Sequence, residues 1–93
     1  MNQYQKIWDE VSNLLKEAHG YLDRENSSVN EINDNVFFEY LEHNELELAI
    51  DEIEAISGSF EVPLQFWQCL IKAANRMGLK EHSKRYVEFS GYY

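Results

Sequence analysis

The sequence predicts an all-α fold: a small bundle of four to five short, mostly antiparallel helices forming one domain over residues 1–93. Three observations carry this. Apolar residues recur at i, i+3/i+4 and i+7 through most of the chain. No segment sustains the period-two alternation of a half-buried strand. Clusters of turn formers separate the periodic segments by short intervals, and short connections make neighbouring helices antiparallel.

The first helix is expected over about 3–22, where Ile7, Trp8, Val11, Leu14, Leu15, Ala18, Tyr21 and Leu22 follow helical spacing. The stretch "DRENSSVNEINDN" is rich in turn formers, and Ser28 with Glu31 fits a capping box. Val29, Ile32, Val36 and Tyr40 then share a face, flanked by Phe37 and Leu41, which gives a second helix over 29–43. A start near Asp34 is the alternative, because Asn33, Asp34 and Asn35 are weak helix formers. Asn44 with Glu47 repeats the capping signature. Leu46, Ala49, Ile50, Ile53 and Ile56 form the third stripe over 45–57, and Gly58 stands where a helix end favours glycine. Pro63 suits a first helical turn. Leu64, Trp67, Leu70, Ile71, Ala74 and Met77 give a fourth helix over 63–77, and Gly78–Leu79 reads as a Schellman ending. The tail "KEHSKRYVEFSGYY" has room for a shorter helix, with Phe89 and either Tyr86 or Val87 packing inward. The expected core includes Trp8, Leu15, Ile32, Tyr40, Ile50, Ile53, Trp67 and Ile71.

Composition narrows the function. A hydrophobic content of 44% suits a globular domain. The net charge of −9 repels phosphate backbones and anionic lipid, so direct nucleic-acid or membrane binding is not expected, whereas a basic partner would be attracted. A single cysteine, Cys69, excludes an internal disulfide and suits a reducing compartment. With no apolar leader at "MNQYQKIWDE" and no apolar run beyond three residues, the expected location is the cytoplasm. A monomer is expected before any partner binds. His19, His43 and His82 lack metal-ligand spacing, and there is no phosphate-binding glycine loop, so no metal, no cofactor and no enzymatic activity are expected. Cys69 falls at the edge of a core stripe and reads as structural.

The informative feature is "EYLEHNELELAIDEIE", residues 39–54. Seven of its sixteen residues are acidic and none is Lys or Arg. On the third helix Glu47, Asp51 and Glu54 align on a face expected to point away from Ile50 and Ile53. Like charges at these spacings cost about 0.2–0.5 kcal/mol per pair. Asp51, Glu52 and Glu54, like Glu42 on the helix before, also sit toward helix C-termini, where the macrodipole favours cations. One reading is a solvated face. The other is a binding surface, since violations of local rules tend to mark function. Phe38, opposite the expected apolar face of its helix, is either an exposed interface anchor or a residue covered by Tyr92 or Tyr93.

The chain over about 36–79 resembles the MafI-like immunity proteins of bacterial polymorphic toxin systems, which are related in function to contact-dependent growth inhibition immunity proteins. The resemblance rests on His43–Asn44–Glu45 at a helix end, Leu48–Ala49–Ile50 opening an acid-rich helix, Val62–Pro63 before the next helix, and Met77–Gly78–Leu79 at its close. It implies a protein that binds and neutralises a cognate toxin domain, a basic nuclease, and protects the producing cell. The expected toxin-binding residues are Phe38, Glu39, Glu42, Glu47, Asp51 and Glu54. On this reading, charge reversal at Asp51 and Glu54 leaves the fold intact. The same stretch also looks like one helical hairpin of a tetratricopeptide repeat, formed by the third and fourth helices. That resemblance implies a small helical adaptor for a peptide or protein partner.

Overall fold

In the computed structural model, residues 3–22 and 34–91 are described. They form five helices, α1 (Gln3–Gly20), α2 (Asn35–Glu42), α3 (Leu46–Ser57), α4 (Leu64–Arg76) and α5 (Lys80–Ser90), with no strand among the described residues. The all-α reading holds, and α1, α3 and α4 fall within two residues of the expected spans. The capping box at Ser28 and Glu31, and the core residue Ile32, lie outside the described residues.

Packing follows a path through the bundle. α2 lies on α3, α3 on α1, α1 on α4 and α4 on α5. The Cα extents are 42 × 33 × 17 Å, so the molecule is less than two helix diameters thick. The core runs along this path as Val11, Leu15 and Ala18 of α1, Ile50 and Ile53 of α3, and Phe66, Leu70 and Ala73 of α4, all without solvent exposure. No described helix is long and apolar enough to cross a membrane.

Two connections are built the same way. Asn44 adopts a left-handed conformation (φ 56°), and Gly78 does the same (φ 71°). Glu45 N–H donates to Tyr40 C=O and Leu79 N–H to Ala74 C=O, the six-to-one bond of a Schellman turn. Gly78–Leu79 therefore ends α4 as expected. Asn44 does not cap α3 as expected; its side chain makes no cap bond there, and its backbone terminates α2. Asparagine is among the few non-glycine residues that tolerate this conformation. Gly58 also departs from expectation. It stays right-handed (φ −61°), and α3 unwinds through i→i−3 bonds from Gly58, Ser59 and Phe60.

Three core expectations need correction. Trp8 is 37% exposed, because it lies on the α1 stripe beyond the point where α4 ends. α2 begins at Asn35, with Asp34 as its N-cap, so the continuous helix over 29–43 is not formed. Its buried residues are Phe37 and Leu41, while Val36 is exposed and Tyr40 only partly covered. The expected face took its phase from Val29 and Ile32, which precede the start of the helix. In α5 the inward residue is Tyr86, fully buried; Phe89 is 52% exposed. Trp67 and Ile71 are partly buried against the core.

Candidate functional site

The acidic segment spans the end of α2 and most of α3. On α3 the expected free ridge is divided. Glu54 accepts two hydrogen bonds from Arg85, Nε at 2.9 Å and Nη2 at 2.7 Å, and a third from the Tyr86 hydroxyl at 2.8 Å. Its side chain is only 21% exposed. Burial raises its pKa, but the Arg85 and Tyr86 hydrogen bonds and the Arg85 charge outweigh this and hold the carboxyl below its ordinary value. Asp51 Oδ1 lies 2.7 Å from His82 Nε2. The chain itself thus supplies α5 cations and donors to Asp51 and Glu54. The expected unpaired placement of these two acids is corrected, and so is the outward placement of Glu54; Asp51 is exposed as expected, and the pairing of both acids with α5 removes the ground for expecting that reversing both charges spares the fold. The reason is non-local: Arg85 is 31 residues from Glu54, beyond the reach of any helical period.

The remaining acids are different. Of those between Asp34 and Glu61, Asp34 pairs with His19 on α1, and Asp51 and Glu54 pair with α5. Glu39, Glu42, Glu45, Glu47, Glu52 and Glu61 form no ion pair with any described residue, and all but Glu52 are exposed. Three of the expected site residues, Glu39, Glu42 and Glu47, are in this group. Glu42 shares a shallow hollow with Phe38, Leu41, Ser12 and Lys16.

Phe38 is 41% exposed, as expected for an anchor. It is nonetheless fixed, edge-on to His19 at 4.7 Å and to Phe37 at 5.1 Å between ring centroids. His19 also stacks on Phe37 at 5.6 Å and hydrogen-bonds Asp34, so it clamps α2 to α1. Coverage of Phe38 by Tyr92 or Tyr93 falls outside the described residues.

The chain matches no known family model, no curated protein and no solved structure. Its candidate site is therefore defined by geometry alone.

That geometry adds residues which the sequence pattern either assigned to the core, as with Ile7, Trp8, Leu46 and Met77, or left out of the stripes, as with Tyr4 and Leu48. The N-terminal turns of α1, the start of α3 and the end of α4 enclose an apolar groove of about 530 Å³. Its walls are Tyr4, Ile7, Trp8, Leu46, Leu48, Met77 and Leu79, and Glu45 and Glu47 stand beside them. Tyr4 is 67% and Leu48 47% exposed, and the Tyr4 and Trp8 ring centroids are 6.4 Å apart. Leu48 carried a legible signal, since it is the one leucine of α3 off the Leu46/Ala49/Ile50/Ile53 stripe. Trp8 carried none, because it sits on the core stripe and only the length of α4 leaves it open.

Cys69 is in the core, and its thiol donates to Glu17 Oε2 at 2.9 Å. Burial first, then the Glu17 hydrogen bond and charge, push its pKa up to about 12. Such a thiol is a poor nucleophile, as expected of a structural cysteine. No group of three or more His, Cys, Asp or Glu residues suited to a metal is found among the described residues.

Proposed function

We propose that this protein is an immunity protein: a non-catalytic binding module that captures a cognate toxin, a basic nuclease, in the cytoplasm of the bacterium that makes it. The observation that carries the reading is the set of exposed carboxylates on α2, α3 and the turn between them, Glu39, Glu42, Glu45 and Glu47, which have no ion-pair partner within the described chain. A folded protein tolerates such repulsion when a partner provides the cations. Close charge pairs across an interface couple by about 1.5–7 kcal/mol, and complementary fields lift association toward about 10⁸–10⁹ M⁻¹s⁻¹. The resemblance of residues 36–79 to MafI-like immunity proteins supports the same partner class.

The test uses the product of the gene beside its own, expressed to arrest growth. Co-expression of the wild type should restore growth. Glu39→Lys with Glu42→Gln should fold normally and fail to protect. These positions replace Asp51 and Glu54 as probes, because those two carboxylates hold α5. Protection by the variant equal to wild type would refute the acidic face as the capture surface.

A second reading, a helical adaptor for a peptide, draws on the succession of two hairpins, α2–α3 and α4–α5, each joined by a Schellman turn. The packed hairpins differ from the α3–α4 pair suggested by the repeat-like sequence. Binding of a partner without any protection of growth would favour this reading.

A further inference from the structure

We infer that the groove between α1, α3 and α4 is the anchor site of the capture surface, and that it takes an amphipathic segment of the partner whose apolar side chain is flanked by Lys or Arg. This rests on the proposed function for the partner's class and assigns a location that the acidic residues alone do not. Three of the chain's exposed large apolar residues, Tyr4, Trp8 and Leu48, line this one depression. Aromatic residues in a desolvated pocket are the usual centre of binding energy, and a polar rim excludes water around them. Here the rim is acidic. Glu45 and Glu47 form no ion pair with a described residue, whereas Arg76, the one Lys or Arg among the described residues lining the groove, is already paired with Glu10 at 2.8 Å.

Charge decides between occupants. A second copy seated face to face would bring Glu45 and Glu47 against their own equivalents, an arrangement that like-charge repulsion opposes. An acidic segment is opposed for the same reason. A segment with an apolar residue and neighbouring cations satisfies both the walls and the rim. The groove also continues onto the proposed capture surface, because Glu47 belongs to both.

The experiment uses three synthetic helical peptides: Leu with Lys, Leu with Glu, and Ser with Lys. The full chain, labelled with ¹⁵N, is titrated with each. The Leu/Lys peptide should shift the Trp8 indole N–H resonance and leave that of Trp67 unmoved. Leu48→Gln and Tyr4→Ser alter side chains that already stand in solvent over about half of their surface or more, so they should melt near the wild type while weakening this peptide about tenfold or more, the loss expected of an interface hot spot. The Leu/Glu peptide should not bind, and the Ser/Lys peptide should bind weakly without moving Trp8. Binding of Leu/Lys that ignores both groove variants but is lost in Glu39→Lys with Glu42→Gln would overturn the inference and leave the acidic capture surface standing. Binding indifferent to all three variants, or none at all, would overturn both. A concentration-dependent dimer that Leu48→Gln converts to monomer would assign the groove to a second copy instead.

Discussion

Glu54 is the residue whose chemistry most exceeds its appearance in the sequence. Its carboxylate joins α3 to α5 through Arg85 and Tyr86. Glu54→Gln keeps the shape but removes the charge, and should cost about 1.5–3 kcal/mol by urea unfolding at neutral pH, the range for hydrogen bonds to a charged group. The pH dependence has a definite sign. The folded carboxyl has a pKa below its ordinary 4.5, so the native state binds its proton less readily than the unfolded chain does. Its stabilisation is complete above 4.5 and is lost as the pH falls below that value toward the folded pKa. Glu54→Gln should flatten that acid limb. The opposite sign holds on the alkaline side. The Cys69 thiol and Tyr86 hydroxyl both have raised values, chiefly through burial and then through their carboxylate partners. Unfolding should therefore become easier as the pH rises past their ordinary values of 9.0 and 10.0. A thiol reagent at about pH 8 should label Cys69 quantitatively in denaturant and hardly at all in the folded protein. Ready labelling of the native protein would contradict its burial.

At the scale of the element, the α2–α3 turn makes the clearest test. Asn44 is left-handed, and only glycine adopts that conformation without strain. Asn44→Gly should be neutral or slightly stabilising. Asn44→Val should lose about 1–2 kcal/mol, the cost of placing a branched residue there. If Val were tolerated like Gly, the turn would not be what fixes the entry into α3. Element existence was largely legible from sequence, since α1, α3 and α4 carry their own period and their own stops. The failures share a cause. The face of α2 was phased from residues preceding its first turn, so it was centred on Val36 and Tyr40, with the buried Phe37 and Leu41 expected only at its flank. Trp8 obeys the α1 stripe, but burial also needs a covering neighbour, and α4 ends too soon. The candidate site was legible in part. Glu39, Glu42 and Phe38 are exposed as expected, while Asp51 and Glu54 are engaged by α5, a pairing that no local rule reveals. The groove was missed because it is formed by the ends of three helices distant in sequence.

For the whole molecule, the backbone packing path from α2 to α5 is open, and side chains close it. α5 lies on α4 through the Trp67, Tyr86 and Phe89 rings and reaches α3 through Glu54 and Asp51. The carboxylates left over repel one another, so modest salt should raise the wild-type melting temperature by screening them. The same salt should slow capture of a basic partner. A melting temperature that falls with salt would mean that the Arg85–Glu54 ion pair outweighs the repulsion. The late position of α5 also bears on synthesis. A ribosome completes α1 to α4 before α5 emerges, so every new chain passes through a stage with one face of Trp67 bare and Glu54 without its guanidinium. The interval in which the nascent protein can stick to its neighbours should close only with the arrival of Arg85 and Tyr86. A stalled chain ending at Leu79 should bind a hydrophobic dye that a chain ending at Gly91 does not.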